Sequence, residues 1–139
     1  MDVTVTSGSG LSQQITVGRH QLLADEPIAV GGTDLGPSPY ELLAAAVGSC
    51  TSMTLQLYAR NKGWPLQRVT VVIKHDKIYA VDCANCETRE GRIDQLEREI
   101  TLEGPLDEAQ KKRLLEIAER CPVHRTLSRE VNLVTRLKG

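Results

Sequence analysis

Apolar and polar residues alternate along the first part of the chain in a way that is typical of short strands. The alternation covers residues 3–6, and a turn rich in serine and glycine follows at residues 7–10. A second alternating segment lies at residues 15–17. It continues through Gly18, Arg19 and His20 into an apolar segment at residues 21–24. Because a period of two places one strand face on a core, this segment predicts antiparallel strands joined by turns.

A long apolar segment follows a loop that is rich in glycine and proline, residues 31–39. Ser38 suits the N-cap of a helix, Pro39 suits the first helical position, and Glu41 completes a capping box. The predicted helix stops at residues 62–63 and has almost no polar stripe. We therefore expect other elements or a second subunit to cover most of its sides.

The second half of the chain predicts a strand, an ambiguous segment and another helix. Residues 68–74 alternate as a strand does, whereas residues 92–102 fit either a helix or a strand. Asp107 and Gln110 can form a capping box. We expect this second helix to end at Cys121, because proline disfavours helical geometry in the residue before it.

Two further stretches complete the pattern. The charge-dense residues 87–99 mix both signs, which indicates a solvated face. Val131, Leu133 and Val134 predict a closing strand. Together the elements predict a mixed α+β fold in one domain spanning residues 1–139, an ordinary domain size.

Composition and charge narrow the classes of function. The chain has no Phe and one Trp, so aliphatic residues and alanine must fill its core. Seventeen basic and eighteen acidic residues give a net charge of −1, which argues against a nucleic acid partner. Residues 42–59 are uncharged and as long as a membrane span, but their serines and threonines indicate a buried helix without a membrane partner. With no secretory signal in the first residues, we expect a cytoplasmic protein whose cysteines are mostly reduced.

Cys50 lies among small and hydroxyl-bearing residues on the long helix. A free cysteine in such a place is often a small core hydrophobe. The alternative is a reactive thiolate, because small neighbours leave room beside the sulfur and hydroxyls can hydrogen-bond it. Reactivity requires a nearby cation or strong donors, and Arg19 is a candidate cation.

Cys121 is expected at a helix C-terminus, where the partial charge is negative and opposes a thiolate. Arg120, His124 and Arg125 can offset that charge. The simplest interpretation is a partly buried cap residue. If Cys121 approaches Cys50, the two thiols can pass through a sulfenic acid to a disulfide, which an external dithiol reduces by exchange.

Cys83 and Cys86 form a CxxC motif, which occurs in redox pairs and in halves of zinc sites. A four-ligand zinc site would have to recruit His75, Cys121 or His124, or a second subunit. A disulfide or dithiol loop is one alternative, and two plain thiols in a surface turn are another. We expect no bound metal and no cofactor.

Two parts of the chain resemble the OsmC/Ohr family, in the right order and over nearly the whole length. The first comprises residues 25–27, 31–32, 36–46 and 48–55, the last of which contains Gly48-Ser49-Cys50-Thr51-Ser52. The second is Cys121-Pro122-Val123-His124-Arg125-Thr126-Leu127. The specific feature is the pair of cysteine motifs on two helices.

The resemblance implies an OsmC-like fold, in which antiparallel sheets surround a long central buried helix, and an intertwined homodimer with two equivalent sites. It implies a cysteine peroxidase for organic hydroperoxides, with Cys50 as the attacking and Cys121 as the resolving cysteine. A dithiol such as a lipoyl group would be the reductant. Arg19 and Glu41 would position and activate the thiolate.

One position departs from the hydroperoxide reductases of that family. They carry Glu directly after the proline, where this chain has Tyr40, and its own Glu41 lies about 100° further round the helix. The departure motivates a second hypothesis, a redox-sensing or binding module that keeps the fold without efficient turnover. A zinc-stabilised structural protein is the third.

Overall fold

The computed structural model describes residues 1–84 and 86–139, so Asn85 of the CxxC motif lies outside the described residues. The chain forms two compact units, residues 1–43 and residues 44–139. One domain over the whole chain therefore stays a prediction.

The first unit contains a three-stranded antiparallel sheet in the order β1-β2-β3, which confirms the predicted strands. Its strands are β1 (Thr4–Ser7), β2 (Gln13–Val17) and β3 (His20–Ala24). A two-residue turn joins β2 to β3. Gly18 takes a φ of 57° there, in the left-handed region that glycine enters without steric cost. Arg19 occupies the other turn position and is exposed.

A buried carboxylate organises the loop after β3. Asp25 is 2% exposed, and its oxygens accept hydrogen bonds from the backbone amides of Glu26, Thr33 and Leu35 and from the Thr33 hydroxyl. These donors lower the pKa of Asp25, the Thr33 hydroxyl most of all, against a smaller opposing effect of burial. One side chain thus fixes a loop that has little regular structure.

The long helix α1 (Pro39–Lys62) begins and ends as its sequence predicts. The Ser38 backbone amide donates to Glu41 Oε1 over 3.0 Å, and the Glu41 amide donates to Ser38 Oγ over 3.3 Å, which completes the capping box. At the other end Gly63 has a φ of 69°, a conformation that commonly terminates helices.

Within the chain, α1 is less covered than its apolar sequence predicts. Its buried residues, each four positions from the next, are Val47, Thr51, Leu55 and Ala59. Met53 is 60% exposed and Leu57 is 54% exposed. In the single chain one stripe of α1 faces a packed neighbour, and cover of its other sides by a second subunit stays a prediction. By length and composition alone α1 could cross a membrane, a test that core helices of soluble proteins also pass.

The second unit pairs two long strands, β4 (Arg68–Tyr79) and β5 (Arg92–Glu103), as an antiparallel hairpin. The ambiguous segment is thus a strand. Val69 pairs with Leu102, and the pairing continues without a break to the end of β4. From Leu96 to Leu102, alternate residues of β5 are half-buried while those between them are exposed, as expected of a strand with one face on a core.

Helix α2 (Glu108–Ala118) packs on α1. The Asp107–Gln110 capping box is present. The hydrophobic cluster of this unit consists of Leu55, Ala59, Leu106, Leu114, Ile117 and Ala118. Leu55 and Leu114 have no exposed surface, so truncating either to alanine is expected to cost about 2–5 kcal/mol of stability.

Two expectations for the C-terminal part are wrong. Helix α2 ends at Ala118 rather than Cys121, and a short helix α3 (Pro122–Leu127) follows. Residues 130–139 have no regular secondary structure, and Leu133 is 88% exposed. A closing strand needs a neighbouring strand for its backbone groups, and residues 131–134 form no such pairing in the described chain.

Candidate thiol site

Cys50 and Cys121 meet between α1 and α3, within the second unit. Both are free thiols, and the Cys50 side chain lies close enough to Cys121 to lower the pKa of the Cys121 thiol. Cys121 is completely buried, whereas Cys50 keeps part of its surface exposed. The fold therefore joins the two cysteines that the sequence places on separate helices.

Cys121 caps the start of a helix, which reverses the electrostatic expectation for its sulfur. Its backbone is extended, with φ −61° and ψ 136°, as the following proline favours. The sulfur accepts a hydrogen bond from the His124 backbone amide over 3.3 Å. A helix start presents amide donors rather than carbonyls, so this position supports a thiolate.

Arg98 supplies the cation at this site. Its side chain is only 10% exposed. Nη1 donates to Thr51 Oγ1 over 3.1 Å and to the carbonyl of Ala118 over 2.9 Å. The expectation that residues 87–99 form a solvated face is thus wrong at this residue, because Arg98 points from β5 to the helices that carry the two cysteines.

Arg98 also fixes the proton arrangement of His124. Arg98 Nη2 lies 2.9 Å from His124 Nδ1, and His124 Nε2 lies 3.2 Å from Glu119 Oε2. A guanidinium can only donate hydrogen bonds, so Nδ1 must accept and carry no proton. Nε2 then carries the proton and donates it to Glu119. These contacts orient the His124 ring between Arg98 and Glu119.

The Thr51 hydroxyl has one proton and two acceptors. Thr51 Oγ1 lies 2.8 Å from the carbonyl of Val47 and 3.8 Å from Cys121 Sγ, while it accepts the Arg98 hydrogen bond. The shorter contact holds the proton when Cys121 is neutral. Rotation of the hydroxyl can direct the proton to the sulfur when Cys121 is charged.

The net effect of these contacts is a lowered pKa of the Cys121 thiol. Burial alone raises it, but the His124 amide, the Cys50 thiol, the Thr51 hydroxyl and the Arg98 charge together outweigh burial. A lowered pKa increases the thiolate fraction at neutral pH, and the thiolate is the reactive form of cysteine.

The sequence did not single out Arg98, and it named other groups instead. Of the three candidates beside Cys121, only His124 touches the sulfur, through its backbone. Arg19 and Glu41 belong to the first unit, so their predicted role beside Cys50 stays a prediction. One sequence signal could have identified Arg98. If residues 92–102 form a strand, Arg98 lies on the same face as Leu96 and Ile100 and points toward the core.

Cys83 and Cys86 form a disulfide, with their Cα atoms 5.6 Å apart. The expectation that the cysteines are mostly reduced therefore holds only for Cys50 and Cys121. A disulfide lacks the thiolates that ligate zinc. Among the described residues no group of three or more His, Cys, Asp or Glu side chains could hold a metal ion.

The mixed α+β fold thus carries two free thiols and a buried arginine on neighbouring elements of the second unit. Residues 32–136 match the family described as OsmC-like protein. The match covers most of the chain, and the chain belongs to this family. No curated protein matches the chain.

Solved structures of the same fold include proteins named for stress responses. A putative osmotic stress induced and detoxification response protein of Psychrobacter arcticus is 23% identical, with a TM-score of 0.70 over 89% of this chain and 85% of its own. An organic hydroperoxide resistance protein of Legionella pneumophila is 20% identical, with a TM-score of 0.64 over 91% and 87%. The organic hydroperoxide resistance protein OhrB of Bacillus subtilis is 21% identical, with a TM-score of 0.59 over 91% and 90%. At these identities the likeness establishes the α+β fold.

Proposed function

We propose that this chain is a cytoplasmic thiol-dependent peroxidase that reduces organic hydroperoxides. The observation that carries the proposal is the neighbouring pair of free thiols, Cys50 and Cys121, with the Arg98 guanidinium hydrogen-bonded to Thr51 and Ala118 next to them. Family membership supports it, as do the fold relatives named for organic hydroperoxide resistance. A structural pair of core cysteines would need neither the buried cation nor the converging donors.

The difference in exposure supports the proposed roles of the two cysteines. A peroxide must approach the attacking sulfur directly, and Cys50 is partly exposed while Cys121 is fully buried. Cys50 is therefore the attacking residue and Cys121 the resolving one. The lowered pKa of Cys121 suits both its later attack and its earlier service as a base that accepts the Cys50 proton.

The reaction proceeds in three balanced steps. The Cys50 sulfur attacks the distal peroxide oxygen, the O–O bond breaks, and the alcohol leaves with the proton that Cys121 had accepted. The Cys121 thiolate then attacks the Cys50 sulfenic acid, an S–S bond forms, and hydroxide leaves as water after taking a proton. A dithiol finally reduces the disulfide by two exchanges and is itself oxidised to a disulfide.

Exposed apolar surface on α1 supports an organic substrate and a second subunit. Met53 and Leu57 lie on the same helix as Cys50 and are more than half exposed. Patches of this kind mark interfaces and ligand sites. We place a homodimer contact and the apolar part of the peroxide on this side of α1, with Arg19 and Glu41 as further positioning groups.

The proposal is tested by thiol-dependent consumption of cumene hydroperoxide and hydrogen peroxide, with dihydrolipoamide as donor. Cys50→Ser should abolish turnover. Cys121→Ser should permit one oxidation of Cys50 and block recycling. Lys112→Ala, an exposed position on α2 away from both thiols and from the Met53 and Leu57 surface, is the control and should retain activity. An equal loss in the control, or turnover that survives in Cys50→Ser, would reject the peroxidase.

The residue after Pro39 favours a second candidate, a sensor that is oxidised without cycling. Tyr40 stands where the family's hydroperoxide reductases carry Glu, and it is 59% exposed. The same assay distinguishes the candidates. A single stoichiometric oxidation of Cys50, unaffected by the choice or concentration of dithiol, would favour the sensor.

A further inference from the structure

The Cys83–Cys86 disulfide lines a groove of about 830 Å³ that also contains His124. The disulfide belongs to the connection between β4 and β5, which is closed at its base by a hydrogen bond from the Ala80 amide to the Gly91 carbonyl. Both sulfur-bearing residues are partly exposed. The groove thus presents the disulfide to solvent beside α3.

Groove and thiol site share one residue, His124. Its backbone amide donates to Cys121 Sγ over 3.3 Å, and its side chain reaches Arg98 and Glu119. Glu119 also lines the groove. His124 therefore connects the two cysteine pairs of this unit: its backbone amide contacts Cys121, and the residue lines the same groove as the Cys83–Cys86 disulfide.

We propose that Cys83 and Cys86 are a second dithiol–disulfide couple, which takes two electrons from an external dithiol and passes them to the Cys50–Cys121 disulfide. The inference rests on the proposed peroxidase function and adds the route by which its reductant acts. It explains why an exchangeable disulfide lies in a solvent-accessible groove with His124, the residue whose backbone amide contacts the resolving cysteine. A purely structural staple of a four-residue turn would gain nothing from that placement.

The exchange balances without any further reactant. The external dithiol reduces Cys83–Cys86 to two thiols and leaves as its own disulfide. One of the new thiols, as a thiolate, attacks Cys121 and releases the Cys50 thiolate, which takes up a proton. The other then displaces Cys121, so that Cys83–Cys86 is again oxidised and the Cys50 and Cys121 thiols are restored.

A titration without external reductant tests this relay. Fully reduced protein receives cumene hydroperoxide in steps, and mass spectrometry under non-reducing conditions locates each disulfide. Wild type should consume two equivalents per chain and form Cys83–Cys86 first. The double variant Cys83→Ala/Cys86→Ala should consume one equivalent, at an unchanged rate of Cys50 oxidation, which also shows that the variant is folded. In Cys50→Ser, Cys83 and Cys86 should stay reduced.

Two measurements complete the test. Reduction of the Cys50–Cys121 disulfide by dihydrolipoamide should be at least about tenfold slower in the double variant. Of the single variants Cys83→Ala and Cys86→Ala, the one that keeps the attacking thiol should accumulate a mixed disulfide with Cys121. If wild type forms only Cys50–Cys121, and the double variant is reduced as fast as wild type, the relay is wrong and the peroxidase stands. If Cys50 is not oxidised at all, both proposals fail.

Discussion

Arg98 Nη1 donates a hydrogen bond to Thr51 Oγ1 over 3.1 Å, and this contact ties the β-hairpin to the helix that carries Cys50. The guanidinium is almost fully enclosed. A buried cation is costly unless it is paired and hydrogen-bonded, and Arg98 meets both conditions through Glu119, His124 and the carbonyl of Ala118. Its charge is thereby held beside the Cys121 sulfur.

Replacing Arg98 tests whether that charge serves the thiols. Arg98→Met keeps an unbranched chain and removes the cation, so the pKa of Cys121 should rise and the thiolate fraction at neutral pH should fall. We expect at least about tenfold slower peroxide turnover. The rate of Cys121 alkylation against pH, followed by mass spectrometry, should shift to higher pH.

A matched control lies on the same strand. Arg92 stacks on the Tyr79 ring, with 5.5 Å to its centroid, and is exposed. Arg92→Met should leave both the alkylation profile and turnover unchanged. If both substitutions change turnover and the alkylation profile equally, any arginine substitution in β5 disturbs the site, and the Arg98 charge has no special role.

Removing the Thr51 hydroxyl tests its hydrogen bond with Arg98. Thr51→Val preserves shape but leaves an Arg98 N–H without its acceptor inside the protein. An unsatisfied buried donor should lower the free energy of unfolding by about 1–3 kcal/mol. Thr51→Ser keeps the hydroxyl and should retain the Cys121 alkylation profile. Urea denaturation at constant pH measures the first effect, and an unchanged midpoint in Thr51→Val would contradict it.

Local signals in the sequence were sufficient for much of the fold. The capping boxes at Ser38 and Asp107 involve side chains within one helical turn of the residues they cap, so neither depends on distant parts of the chain. Strand β5 could not be assigned in the same way. Its alternation is ambiguous until β4 lies beside it and supplies the hydrogen bonds of twelve paired residues.

The candidate site shows where sequence reasoning reaches its limit. The two cysteines were found because cysteine is rare and chemically distinct. Arg98 was missed because a charged residue among charged residues is usually solvated, and only the tertiary arrangement buries it. The effect of the backbone on Cys121 was assigned the wrong sign, because the proline that ends one helix also begins the next.

The stability of the folded chain at low pH should depend on Asp25. The Thr33 hydroxyl and nearby backbone amides lower the pKa of this carboxyl in the folded chain. A lowered folded-state pKa contributes stability above the unfolded-state pKa, and that stability is lost as pH falls through the folded value. Asp25→Asn should therefore lower stability at pH 7, and its difference from wild type should narrow as pH falls below about 4.

Denaturation midpoints measured between neutral and acidic pH give this comparison. Asp34→Asn is the control, since Asp34 is an exposed residue of the same loop with a φ of 54°, which asparagine also adopts readily. It should shift the midpoints little at any pH. A gap between Asp25→Asn and wild type that stays constant down to low pH would mean that the Asp25 charge does not stabilise the loop.

Substitutions of Glu41 distinguish its role as a helix cap from its proposed role in catalysis. Its Oε1 accepts the Ser38 amide, and the hydrogen bonds from Ser38 lower the pKa of this carboxyl. Glutamine also serves at this position of a capping box, so Glu41→Gln should keep the unfolding midpoint of wild type. If the carboxylate charge also positions the peroxide, as the family resemblance implies, the same variant should lower turnover by at least about tenfold.

Glu41→Ala removes both properties and should lower stability as well as turnover. The comparison between the glutamine and alanine variants is decisive because they share the loss of charge and differ in the cap. Normal turnover in Glu41→Gln would remove Glu41 from the catalytic set and leave it as a cap residue. The Arg98 cation would then be the charged group best placed to act on the two thiols, because its contacts lie within the unit that contains them.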